Sequence, residues 1–425
     1  MVNTMRVVKE SAFAAWLIVA VSAAFYSYDV LLRVAPSVMK QELMLHYDIS
    51  SAALGGITSV YFLSYAAMQM PVGFLMDRYG PKFLLTISGV CCAVGIGIFS
   101  MTKIVTVAAL SRLLVGFGSS FAFVGVLKLA SIMLPPSRFA FVSGATMALG
   151  MLGATLGDHV ISNLLVLEGW QNVCFQAAIL GLILTLLMLF LIPRDVHKRE
   201  DGNDTASFQE IWKGTLQLMK NPQVWLVAVL GSLSYTPLTL FAEHFGIEFL
   251  QIKYNLSNIT ASSVNSWMFV GWMIGGPLVC SFSDYLNSRR LPIIFGMLVS
   301  LLCCITMLYL DMTVKSLSIL MVVFGIANSV QVIVFPIARE LGGKTSTATA
   351  IAMINMICMF SGLLQGMIGW LLDYSQVVLS KAAVGRDIML ASYQVAYLPL
   401  PIFLLIALVV AIIMKETYGM EGSSS

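Results

Sequence analysis

The sequence has 425 residues, of which 59% are hydrophobic and 11% are charged, and its formal net charge is +3. Soluble domains carry roughly 25% charged residues. A mean hydropathy of +0.89 therefore excludes a soluble enzyme, a disordered scaffold and a nucleic-acid-binding protein. A lipid bilayer is the expected environment, and it admits only helices or closed barrels, because every backbone polar group must be satisfied internally. Continuous apolar runs of roughly twenty residues predict an all-α integral membrane protein.

Twelve membrane-spanning helices are predicted in chain order. They cover residues 12–35, 52–74, 83–101, 105–133, 140–165, 172–192, 224–247, 260–282, 292–310, 316–337, 347–372 and 392–414. The first run contains Asp29 and Arg33 and lacks a small-residue cleavage site, so we expect it to stay as a helix. Lysine and arginine concentrate in the loops on the side of both termini, which predicts cytoplasmic termini.

The longest polar stretch, residues 193–223, divides the spans six and six. It predicts an N-terminal six-helix bundle at residues 1–192, a cytoplasmic linker at 193–223 with an interfacial helix that opens at Ser207, and a C-terminal bundle at 224–425. The halves also share a repeat at an offset of 207 residues, in which the segment from His46 to Ser50 matches the segment from Lys253 to Ser257. Two bundles related in this way are typical of a secondary transporter with its substrate site between the halves.

The loop after the second span reads GFLMDRYGPK from Gly73 to Lys82. It resembles the hallmark loop of the Major Facilitator Superfamily, G-x-L-x-D-R-x-G-R/K-R/K, with Pro81 in place of one basic residue. The text from Arg112 to Gly116 and the glycines of the fifth span resemble further elements of that family. The resemblance covers essentially the whole chain. It implies the fold of that family, with two pseudo-symmetric six-helix bundles, and a gating role for Gly73, Asp77, Arg78, Gly80, Lys82, Asp284 and Arg289.

Asp77 has a specific expected partner. It ends the second span, and Thr345-Ser346-Thr347 suit the N-terminal cap of the eleventh. A carboxylate at a helix N-terminus gains roughly 0.3 to 1 kcal/mol. We therefore expect Asp77 to latch the two halves while the cytoplasmic side is shut, and a solvated loop charge is the alternative.

Polar residues inside the spans predict the site, because a charge at the bilayer centre costs at least about 2.5 kcal/mol and normally faces a cavity or a partner. Several of them lie on shared helical stripes. The candidate substrate-binding and coupling residues are Tyr26, Asp29, Arg33, Tyr61, Tyr65, Arg112, Tyr235, Glu243, Asn265, Asn328, Gln331 and Asn355. For Asp29 and Arg33 a mutual ion pair is the alternative. Asp158 and His159 are expected near the outer headgroups; the alternative is a desolvated cavity in which Asp158, like Asp29 or Glu243, could exchange the coupling proton.

These features predict a secondary active transporter that moves a small polar solute by alternating access, with protons as the coupling ion. A cavity that holds both charge signs favours an amino acid or a short peptide, in line with a loose resemblance to the branch that contains lysosomal dipeptide carriers. The alternative is an organic anion or sugar phosphate carrier, since the chain also resembles bacterial organic-anion symporters in which a span-one arginine holds the anion. Drug efflux and a sensor without transport are less favoured.

Other classes of function find no support in the sequence. The four histidines are scattered and no nucleophile motif or metal-ligand spacing occurs, so we expect neither an enzyme nor a bound cofactor or metal. The expected partners are the solute, protons and the lipid bilayer, without nucleic acid. The compact chain, with its short loops, predicts a bacterial inner membrane, and the resemblance to the superfamily implies a monomer.

Overall fold

The computed structural model describes residues 12–134, 139–194, 218–379 and 386–418, apart from the side chains of residues 74, 77, 139–141, 143 and 343–349. The described part is helical and contains no strand. The first half holds the helices Ala12–Val38, Lys40–Tyr47, Ser51–Tyr79, Pro81–Met101, Val105–Ser119, Ala122–Met133, Phe139–Leu156, Ser162–Glu168 and Trp170–Leu191, with a π-helical segment at Gly157–Ile161. The second half holds Pro222–Thr236, Gly246–Tyr254, Asn258–Tyr285, Arg290–Tyr309, Val314–Asn328, Val334–Met359, Gln365–Leu379, Arg386–Ala396 and Pro399–Ile413, with a π-helical segment at Pro237–Phe245 and 3₁₀ segments at Ser329–Ile333 and Phe360–Leu364.

Twelve helical stretches of the described chain are long and apolar enough to cross a bilayer, which confirms the predicted all-α architecture. In order, spans one to twelve are Ala12–Val38, Ser51–Gly73, Pro81–Met101, Val105–Met133, Gly144–Glu168, Trp170–Leu191, Pro222–Tyr254, Asn258–Tyr285, Arg290–Tyr309, Val314–Gly342, Ala350–Leu379 and Arg386–Ile413. Span seven reaches several residues further than predicted, because the π-helical segment continues directly into the helix that ends at Tyr254.

The burial of the spans shows which of them form the centre. Spans one, four and ten are each 61% buried and span seven is 72% buried, whereas span six is only 33% buried. Every third span is therefore central, in both halves. Large apolar side chains such as Phe190 and Leu167 remain exposed on the outside, where lipid rather than water would meet them.

The structure confirms the internal repeat. Asp48 and Asn255, which occupy matching positions, both end a short helix in the left-handed conformation, with φ of 50° and 53°. Two residues later, Ser50 and Ser257 both cap the next span through their side-chain oxygens. The same backbone turn is thus built twice from the same residue types, since Asp and Asn tolerate positive φ better than most residues.

One expectation about the linkage of the halves is wrong. The helix Val334–Met359 leads from span ten into span eleven without a non-helical residue. Thr345-Ser346-Thr347 therefore do not begin a helix, and the free N-terminus that the latch of Asp77 required is absent. The side chain of Asp77 lies outside the described residues, as does the start of the predicted interfacial helix at Ser207.

Candidate functional site

A buried ion pair joins the two halves at the centre of the bundle. Arg33 of span one and Glu243 of span seven approach to 3.0 Å between Nη2 and Oε1, and their side chains are 5% and 0% exposed. Arg33 Nε and both carboxylate oxygens of Glu243 have no hydrogen-bond partner among the described residues. The two side chains are thus close enough to form an ion pair, but hydrogen-bonding atoms on both remain unused. A further polar group can therefore bind to the pair.

Glu243 owes its position to local helix geometry. It lies in the π-helical segment Pro237–Phe245, whose nine residues are all buried. Such segments are rare and occur frequently at functional sites. A second one, Gly157–Ile161, occurs in span five. Both segments contain an acidic residue, respectively Glu243 and Asp158.

Asp29 and Arg112 lie beside this pair but have other partners. Asp29 accepts a hydrogen bond from the Tyr61 hydroxyl at 3.1 Å. No ion pair joins Asp29 to Arg33 in the described part of the chain, so the alternative of a mutual pair is wrong. Arg112 is 1% exposed, donates from Nη1 to the carbonyl of Leu32 at 2.9 Å and lies over the Tyr61 ring. Arg112 therefore braces span one, while its Nε has no hydrogen-bond partner among the residues that the structure describes.

Three candidate tyrosines surround the charged pair. Tyr26, Tyr65 and Tyr235 are all buried, and each lies within electrostatic range of Arg33. Tyr65 also stacks on Tyr61 with ring centroids 5.9 Å apart. The structure thus brings the tyrosine candidates together around Arg33.

The amide candidates divide into two groups. Asn328 donates to the carbonyl of Ser234 at 2.6 Å and Gln331 to the Cys358 sulfur at 3.6 Å, so both brace helices within the second half. Asn355 and Asn265 instead join the halves, through Gln69 at 2.7 Å and Asp158 at 2.7 Å. The four amides therefore do not form one cluster around the central pair.

The side chain of Asp158 faces the interior of the protein and not its surface. Its side chain is fully buried, lies in the π-helical segment and accepts a hydrogen bond from Asn265 of span eight. The neighbouring His159 Nε2 lies 3.0 Å from the Ser266 hydroxyl, also of span eight. Span five alone gave no signal for this contact, since the partners are separated by 107 residues.

Sequence reasoning also missed the contacts that close one end of the bundle, which we call the Asp373 end. Both carboxylate oxygens of Asp373 in span eleven accept backbone N–H groups of span two, from Ser51 at 3.1 Å and Ala52 at 2.7 Å. Nearby, Lys40 and Glu248 form a buried ion pair between the halves. In this structure the halves are therefore held together at the Asp373 end.

The opposite end, which we call the Arg289 end, carries the hallmark loop and its second copy. Lys82 donates to the carbonyl of Ile192 at 2.6 Å, Arg78 lies over the ring of Tyr79, and Gly80 has a φ of 79°. A Cβ atom added at Gly73 would meet no atom of the described residues within 4 Å. These contacts lie within the first half.

In the second copy, Arg289 pairs with Asp284 at 2.6 Å and with Glu340 of span ten at 3.0 Å. Outside the spans, the carboxylate of Glu416 accepts the backbone N–H of Arg289 at 2.8 Å and the Ser288 hydroxyl at 2.5 Å. Burial acts to raise the pKa of Glu416, but these hydrogen bonds outweigh it and hold the pKa below its ordinary value.

The sequence profile of the Major Facilitator Superfamily matches residues 15–366. The chain belongs to this superfamily. Its relatives include the uncharacterized transporter YybO of Bacillus subtilis (strain 168), 23% identical over 404 residues that cover 86% of this chain and 89% of YybO. The probable galactarate/D-glucarate transporter GarP of Escherichia coli (strain K12) is 24% identical over 321 residues, covering 67% of this chain and 71% of GarP.

The fold of this chain is similar to that of a solved transporter structure. It is a bacterial homologue of the human lysosomal transporter Spinster in an inward-facing, unoccupied conformation, with a TM-score of 0.81, 15% identity, and coverage of 98% of this chain and 100% of that chain. The predicted family and its fold of two six-helix bundles are thereby confirmed. The chain is an integral membrane protein of a transporter family.

Proposed function

We propose that the protein is a proton-coupled secondary transporter of small organic-acid anions, with Arg33 as the group that binds the substrate carboxylate. The observation that carries this proposal is the buried pair of Arg33 and Glu243 between the halves, with hydrogen-bonding capacity unused on both sides. Arg is suited to this task because its planar guanidinium can bind a carboxylate through two parallel hydrogen bonds.

The pair also provides a means of proton coupling. In the empty site Glu243 neutralises Arg33, and an arriving anion would compete with it for the guanidinium. A proton on Glu243 removes that competition and leaves the positive charge of Arg33 free to compensate one carboxylate of the substrate. Tyr26, Tyr65 and Tyr235 could then offer hydroxyl groups to the hydroxyls of a sugar acid.

The comparisons favour the organic-acid alternative over the amino acid or short peptide. GarP is named for galactarate and D-glucarate, which are sugar acids with a carboxylate at each end. The opposite charges of Arg33 and Glu243 would also suit a zwitterion bound by both ends, so an amino acid or dipeptide is the second candidate. The two classes differ in what they require, because only a zwitterion needs Glu243 in its charged form.

The expected orientation and location complete the proposal. The Asp373 end faces the outside and the Arg289 end the cytoplasm, as the distribution of basic residues indicates. The bacterial origin of YybO and GarP supports a bacterial inner membrane. We expect the protein to work as a monomer, since both groups of the candidate site come from one chain.

Thermal stabilisation of the purified protein tests the substrate class, because a ligand that binds only the folded state raises the melting temperature. The panel comprises galactarate, D-glucarate, an amino acid, a dipeptide and a lipophilic cation. We expect the sugar acids to stabilise the wild type and Glu243→Gln but not Arg33→Gln. Arg386→Gln, which changes an exposed arginine at the Asp373 end, is the matched control and should respond like the wild type. Stabilisation by the dipeptide alone, lost in Glu243→Gln, would replace this proposal with the zwitterion candidate.

A further inference from the structure

Asp158 is a fully buried carboxyl group without a counter-charge in the described structure. Within the described ranges, its Oδ2 accepts one hydrogen bond, from the Asn265 side chain at 2.7 Å, and its Oδ1 has no hydrogen-bond partner. A buried carboxylate normally has a cation or several donors around it, because burying an unpaired charge is costly. One neutral amide does not meet that requirement, so the contact as it stands suits a neutral carboxyl group.

The groups that face Asp158 do not supply the missing positive charge. From span seven, the negative charge of Glu243 acts on Asp158, and Arg33 of span one is already paired with that glutamate. The acidic residue of span one, Asp29, accepts a hydrogen bond from Tyr61. Each of these groups leaves the carboxylate form of Asp158 uncompensated.

The remaining neighbours are neutral or directed elsewhere. Span eight contributes Asn265 and Ser266, the latter in contact with His159. His244 of span seven is buried and lies near Lys40 and the backbone of Gln365. Within span five, the helix before Asp158 has no ionisable side chain, and Glu168 at the span's end lies beside Gln176 on the exposed surface.

The contact between Asp158 and Asn265 also joins the two halves toward the Asp373 end, where Asp373, Lys40 and Glu248 close the bundle. Opening this end would separate span five from span eight and expose both side chains to water. Water stabilises the carboxylate, so the open state favours the charged form and the closed state the neutral one.

We infer that Asp158 is a proton-binding residue that couples the closing of the Asp373 end to the uptake of a proton. This inference rests on the proposed function, because it concerns proton-coupled alternating access. In the open state the Asp158 carboxylate takes a proton from the outside solution. The neutral carboxyl group then packs against Asn265 as the end closes. Asp158 acts on the gate and is separate from the substrate-binding role of Arg33.

Electron paramagnetic resonance distances test the inference without any substrate. Nitroxide labels are placed at Gln171→Cys and Lys315→Cys, two exposed positions at the Asp373 ends of spans six and ten, after replacement of the seven native cysteines. If one proton is bound on closing, the ratio of closed to open molecules should rise by up to about tenfold for each unit by which the pH falls. Asp158→Asn, which is neutral at every pH, should stay closed and lose this response.

Three further variants make the result specific. Asp158→Glu keeps a titratable group and should keep a pH response with a shifted midpoint. This variant also tests the inference if Asp158→Asn does not fold. Glu168→Gln removes a carboxylate from the exposed end of the same span and should behave like the wild type. His159→Gln tests the neighbouring imidazole and should also keep the response.

A wild type without a pH response, or an unchanged response in Asp158→Asn, would overturn the inference, as would loss of the response in His159→Gln alone. Each of these results would leave the organic-acid proposal intact, because that proposal is tested by ligand stabilisation. Conversely, failure of the sugar acids to bind would not affect the distances.

Discussion

The carboxylate of Asp373 should control how long the Asp373 end stays closed. It accepts two backbone N–H groups at the start of span two, at 3.1 and 2.7 Å, while the Ser50 side chain accepts a third, from Ala53. The interaction of a carboxylate with a helix N-terminus is worth typically 0.3 to 1 kcal/mol, and up to about 2 kcal/mol in a partly buried geometry. Because span two and span eleven belong to different halves, this free energy favours the closed arrangement only.

The substitution Asp373→Asn removes the charge but keeps an acceptor oxygen, so about 1 kcal/mol should be lost, whereas Asp373→Ala should lose up to about 2 kcal/mol. The ratio of closed to open molecules should fall about fivefold in the first variant and up to about thirtyfold in the second. Asp387→Asn changes an exposed carboxylate on the same side of the bundle and is the matched control.

Labelling of Ser262→Cys by a membrane-impermeant maleimide, quantified for that peptide by mass spectrometry, measures the opening. Asn258, Ser262 and Ser266 follow one face of span eight, and both Asn258 and Ser266 contact the first half, so the buried Ser262 lies on the closed interface. The labelling rate should rise in the order control, Asn variant, Ala variant. Equal rates in all three would refute the reasoning that Asp373 holds this end closed.

Three more changes have defined outcomes. Arg33→Met and Glu243→Met should each destabilise the protein by about 3 to 5 kcal/mol, because each leaves a buried charge unpaired. The double variant should be more stable than either single variant. A double-mutant cycle of unfolding in mixed micelles measures these differences. Gly153→Val should cost about 1 to 3 kcal/mol in the same assay, since its Cβ would meet the backbone of span one. Gly144→Ala is the control, because a Cβ there meets no described atom within 4 Å. Glu416→Gln should lower the melting temperature at neutral pH, and this difference should shrink as the pH falls through the lowered pKa of the folded protein.

Much of the fold could be predicted from the sequence because membrane spans and an internal repeat are local patterns. The lengths of the apolar runs indicated twelve helices. The sequence match between the segments around Ser50 and Ser257 indicated two related halves. The residues of the central pair were also found, since charges inside apolar runs are conspicuous. The sequence did not predict that Arg33 and Glu243 form a pair, because only the packing of the halves brings them together.

The contacts between the halves were the part that sequence reasoning could not place. Asp77 was expected to cap span eleven, yet the structure shows the reverse relation at the other end, where Asp373 of span eleven caps span two. Asp158 was expected at the headgroups because it lies near the end of its span. Asp158 lies within a π-helical segment, and the sequence contains no pattern that predicts such a segment.

Uptake of radiolabelled D-glucarate into proteoliposomes with an inward proton gradient tests the central claim most directly. We expect the wild type to accumulate D-glucarate, collapse of the gradient to abolish accumulation, and Arg33→Gln to transport none. A wild type that accumulates no organic acid under these conditions, or an Arg33→Gln variant that accumulates D-glucarate at the wild-type rate, would contradict the assignment of Arg33 as the anion-binding group of a proton-coupled transporter.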